Sequence, residues 1–151
     1  MATETENKSA ASVLAEPPNA DVVLSVNVFR PLPLLTEHSM HLVPGGPGHV
    51  TQPAGNKLKV KRDKAKLTFK VVAGDGGQYV PIDIAFREDA DGPPVGYDSD
   101  DSPFEKVKVN GQKLEVTDSI QEMKTYKFSV LVKRTSDNAI GMIDPFIEND
   151  N

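Results

Sequence analysis

The sequence predicts an all-β protein, and three observations carry that reading. Residues 126–134 alternate strictly, with Tyr126, Phe128, Val130 and Val132 on one face of an extended chain and Lys127, Ser129 and Lys133 on the other. A period of two is what a half-buried strand needs. The same alternation recurs along the chain, in short runs bounded by Gly, Pro or Asn-Gly. No segment has the length and 3.6-residue period of a helix able to form a second layer. Short, evenly spaced strands with turns between them point to an immunoglobulin-like antiparallel β-sandwich of about 7–9 strands.

Residues 1–20, rich in Ala, Ser, Glu, Asn and Pro, bury too little apolar surface to offset the entropy of ordering them and read as a flexible tail. The sandwich domain is expected over 21–151. Its first strand, 22–29, places Val22, Leu24, Val26 and Val28 on one face, and Pro31 and Pro33 end it by removing backbone donors, as at an edge or near-edge strand. The Pro- and Gly-rich stretch that follows reads as a loop, with at most a short strand over 40–43. Strands are expected next over 57–61, 65–72, 79–87 and 105–109. In the third of these Val80, Ile82, Ile84 and Phe86 point one way, and Pro81 falls on the outward set. Asn110-Gly111 tolerates the positive φ of a two-residue hairpin loop, pairing Val107 with Leu114 and Lys106 with Glu115. Residues 119–123 have room for one helical turn, and strands over 126–134 and 140–147 close the domain.

The last of these runs ends Ile143-Asp144-Pro145-Phe146-Ile147-Glu148-Asn149-Asp150. Pro145 fixes φ and lacks a donor, so the Asp-Pro step is expected to terminate the strand where it leaves the sheet. Following an aromatic alternating strand, this ending resembles the C-terminal signature of the DP-EP family of small bacterial β-sandwich proteins. The matching positions are Asp144, Pro145, Ile147 and Asn149, while Asp150-Asn151 stands where the family has a second Pro. The resemblance covers residues 126–151 and implies a sandwich fold without implying an activity.

Composition narrows the functions. A chain of 151 residues can bury roughly two thirds of its unfolded surface without a metal or disulfide. Having no Cys, it excludes disulfides, thiolate catalysis and thiolate metal sites. The N-terminus lacks the basic start and apolar core of a signal peptide, and no apolar run reaches the roughly 18 residues of a membrane span, so a cytoplasmic protein without membrane contact is expected. A net charge of -5 argues against nucleic acid as the main partner.

Three groups of residues could carry chemistry. Residues 88–101 hold six carboxylates, and Asp89, Asp91, Asp98, Asp100 and Asp101 could supply oxygen ligands to Ca²⁺, with Gly92 and Gly96 letting the loop fold around it. The spacing departs from the EF-hand pattern, and like-charge blocks are ordinarily solvated, so this stands as the alternative to a site without cofactors. His38, Met40, His41 and His49 could hold zinc or copper, but no Cys or paired acidic ligand accompanies them. Lys57, Lys59, Lys61 and Lys66 belong to a basic stretch that could receive an acidic protein partner or the acidic loop of a neighbouring copy. No Gly-x-Ser-x-Gly elbow, phosphate-cradling loop or His-Glu-x-x-His helix is present, so a non-enzymatic interaction or self-association module is expected. Its mechanism would be strand addition to a sheet edge of another copy.

Overall fold

A computed structural model describes residues 17–89, 91–99, 102–119 and 123–150. These residues form twelve strands and no helix: β1 (Asn19–Val28), β2 (Glu37–Leu42), β3 (Val50–Ala54), β4 (Lys57–Lys61), β5 (Ala65–Ala73), β6 (Tyr79–Glu88), β7 (Pro94–Val95), β8 (Phe104–Asn110), β9 (Lys113–Asp118), β10 (Thr125–Arg134), β11 (Ile140–Ile143) and β12 (Phe146–Asp150). No helix among the described residues is long and apolar enough to cross a membrane. The expected tail falls mostly on residues 1–16, outside the described set. Asn19 and Ala20, counted with that tail, begin β1.

The first sheet has the order β2-β1-β5-β9-β8, and the second β3-β4-β12-β10-β6-β7 with β11 beside β10. Their inner faces form one core, closed by aromatic rings that cross between the sheets. Phe69 of β5 meets Phe128 of β10 at 5.2 Å. Phe104 of β8 stacks on Phe86 of β6 at 3.8 Å and meets Tyr126 of β10 edge-on at 5.0 Å. A buried hydrogen bond from Asn149 Nδ2 to Asp118 Oδ1, 2.9 Å, adds a polar link between β12 and β9.

The fold is all-β, as alternation predicts, but its sheets are mixed rather than antiparallel. β1 runs parallel to β5, and β12 parallel to β4. Between β1 and β5 the chain leaves for the second sheet through β3 and β4, which supplies the crossover that parallel neighbours need. Strand periodicity encodes which face is buried and not which way the neighbour runs. The stretch read as a loop contains β2, which overlaps the short strand expected over 40–43, and also β3; Met40 and Val50 are the residues these strands bury in the core. β7, inside the acidic stretch, pairs with Phe86 and Arg87 of β6.

Three local expectations are corrected. The hairpin between β8 and β9 forms, but its loop is Gly111-Gln112, so Val109 faces Leu114 and Lys108 faces Glu115, two residues away from the expected register. Gly111 supplies the positive φ of 61° alone, the pattern of a Gly-first turn. In β6 the register slips between Asp83 and Pro81, leaving Ile82 as a bulge. Pro81 is therefore buried and Ile82 exposed, the reverse of simple alternation. Pro145 does not terminate the sheet. β11 and β12 share one register against β10, and Pro145 marks the point where the strand gains β4 as its second neighbour.

Candidate functional site

The outer face of the second sheet carries a groove of about 530 Å³. Its floor is low because small residues stand side by side: Ser129 of β10 lies opposite Ala85 of β6. Leu131 and Met142, paired across β10 and β11, raise one end, and Arg87, Lys127 and Pro94 the other, with Leu35 overhanging. Asp144 enters this floor with only 12% of its side chain exposed, bound by the Lys127 ammonium at 2.7 Å and by the Ser129 hydroxyl, which donates to it at 3.0 Å. The charge is compensated in place, and Ser129 gains no nucleophilic activation because its proton goes to a carboxylate already paired with Lys127. The groove can receive an aliphatic group flanked by polar ones.

Leu35 comes from the segment after β1, which crosses to the second sheet and covers the outer edge of β11. Leu32 N donates to Ile140 O at 2.9 Å and Thr36 N to Met142 O at 3.0 Å, and the Leu32-Pro33 bond is cis. With backbone donors spent on β11, the leucine side chains turn outward: Leu32 is 45% exposed, Leu34 60% and Leu35 45%. These residues were not singled out in the sequence. The signal was Pro31-Leu32-Pro33-Leu34-Leu35, apolar side chains bracketed by prolines in a segment with no alternation to bury them.

The structure separates the residues that the sequence grouped. Lys57 and Lys59 lie on the outer face of the second sheet against Glu148 at 3.3 and 3.7 Å, and Lys59 also meets Asp150 at 3.2 Å. The last strand thus neutralises much of this stretch, and Lys61 follows exposed at its end. Lys66 belongs to the other sheet, where it pairs with Glu115 at 3.1 Å. In the acidic stretch Asp89 and Asp98 take positive φ, and the Asp98 carboxylate accepts the Lys106 amide at 2.6 Å, a turn-fixing role. Asp91 is exposed, and Asp100 and Asp101 lie outside the described residues. Among the described residues no three His, Asp or Glu side chains are placed to hold a metal. His38 and His41 fall on opposite faces of β2, and His49 bonds the Lys64 carbonyl at 3.0 Å. Burial holds the His38 imidazole below its ordinary pKa, against the opposing pull of Asp144.

The sheet edges are blunted one by one. The Gln52 side chain takes the place of a strand beside β2, accepting from Leu42 N and donating to Met40 O, each at 2.8 Å. β3 contains Pro53. β6 presents Pro81 and the Ile82 bulge, and β8 a bulge at Lys106. Bulges, prolines and capping side chains are the devices that discourage strand pairing between copies.

No family model matches the chain, and no curated protein matches it. Its fold is similar to the crystal structure of an inclusion body protein, PixA, from Burkholderia cenocepacia J2315, with a TM-score of 0.52 and 10% identity over 90% of this chain and 98% of that one. At that identity the likeness concerns the fold alone.

Proposed function

We propose that this chain is a non-enzymatic protein-interaction and self-association module of the cytoplasm, built on an immunoglobulin-like sandwich. The observation that carries this reading is the run of three exposed leucines, Leu32, Leu34 and Leu35, beside an apolar-walled groove. Apolar side chains gathered on one surface and rimmed by polar residues mark contact sites. The structurally similar PixA is described as an inclusion body protein, which fits a fold that assembles. Because the sheet edges are blunted, the contact is made by these apolar side chains in preference to strand addition. The DP-EP-like ending contributes Asp144 to the groove floor, and Pro145 follows it between β11 and β12.

Sedimentation velocity of the chain and of a Leu32→Ser/Leu34→Ser variant tests the proposal. The unaltered chain is expected to show faster-sedimenting species that grow with concentration and disappear in the variant. A single slow species in both would refute self-association through this surface.

A further inference from the structure

The outer face of the first sheet holds a crowd of like charges. Lys70 of β5 and Lys113 of β9 stand directly opposite each other in the register, both exposed. Like charges in that position destabilise a sheet. Lys108 of β8 faces Glu115, but that carboxylate is already held by Lys66 at 3.1 Å. Lys106 joins Lys66, Lys108, Glu115 and Thr117 around a cleft of about 230 Å³ on the same face. Among the described residues Lys70, Lys108 and Lys113 have no ion pair. The chain as a whole is nonetheless acidic, at -5, and residues 88–101 hold six carboxylates and no basic residue. Asp89, Asp91 and Asp98 in that stretch are exposed.

We propose that the exposed carboxylates Asp89 and Asp91 of one copy dock on the lysine face of the first sheet in the next copy, so that Lys70, Lys108 and Lys113, without an ion pair among the described residues, find their counter-charges between molecules. This rests on the self-association reading above and names its charged contact. Made once, the contact is heterologous and copies add head to tail into rings or open chains; made reciprocally, it closes as a two-fold pair. Complementary charge fixes the orientation, and salt weakens the contact.

Charge reversal on the full chain tests this, because the altered side chains are exposed and their removal breaks no ion pair among the described residues; an unchanged thermal melt checks that each variant folds. Lys70→Glu/Lys113→Glu and, separately, Asp89→Asn/Asp91→Lys are each expected to weaken self-association at least about tenfold at low salt. An equimolar mixture of the two variants is expected to recover association, since each supplies the surface the other lacks. Association that survives both reversals, or a mixture that recovers nothing, overturns this contact and leaves self-association itself standing. A chain that is monomeric throughout removes both. Cosedimentation of the monomeric chain with phosphatidylserine vesicles, lost in the lysine variant, would overturn it in favour of a phosphate surface.

Discussion

Phe104 shows what one side chain holds together. Fully buried, it stacks on Phe86 and meets Tyr126 edge-on, so a single ring ties β8 to two strands of the facing sheet. Phe104→Ala removes both contacts and leaves a cavity, an expected loss of about 3–5 kcal/mol, read by chemical denaturation. Nothing in the sequence announced it, because Pro103 precedes it and the strand is expected to start at Glu105. Tyr79 makes a prediction in pH. Burial, and then its bond to the Asp75 carboxylate, push the phenol up to about 12. The folded chain therefore keeps a proton that the unfolded chain releases near pH 10. This contribution to stability is complete below about pH 10 and is lost as pH rises through about 12. Urea midpoints measured through that range should fall more steeply for the natural chain than for Tyr79→Phe.

At the scale of elements, β2 and β3 belong to different sheets and are joined at their edges by Gln52, whose amide closes both hydrogen bonds that a neighbouring strand would have made. Gln52→Ala is expected to cost about 0.5–1.5 kcal/mol and to speed hydrogen exchange at the Leu42 amide, with the core amides of β10 unchanged. If the Leu42 amide exchanges at its former rate, the Gln52 bridge is not what holds this edge. The alternation in β1, β5 and β10 was legible because each buries one whole face. Of β2 only the short strand over 40–43 was legible, and β3 was not, since a side-chain amide does there what an apolar residue does elsewhere. Direction was equally hidden: the parallel pairs depend on the path of the chain through the second sheet. The Ile82 bulge reversed two assignments in β6 because one extra residue changes the face of everything before it.

At the scale of the molecule, the candidate site differs most from its sequence reading. Residues grouped by proximity in the chain, the lysines of 57–66 and the described carboxylates of 88–99, divide between two sheets and a set of turns. What assembles instead is a groove drawn from β6, β7, β10, β11 and the Leu35 segment, which no single stretch of sequence could reveal. Exposed apolar side chains at 45–60% beside that groove are the feature that most needs a partner to cover it. The central claim is that a second copy is such a partner, and molar mass by light scattering across a concentration series, on the unaltered chain and on Leu34→Glu, tests it most directly. The account expects the mass of the unaltered chain to rise above 16.4 kDa with concentration, and Leu34→Glu to stay at the monomer value with an unchanged melting temperature. A mass of 16.4 kDa at every concentration for the unaltered chain would contradict it.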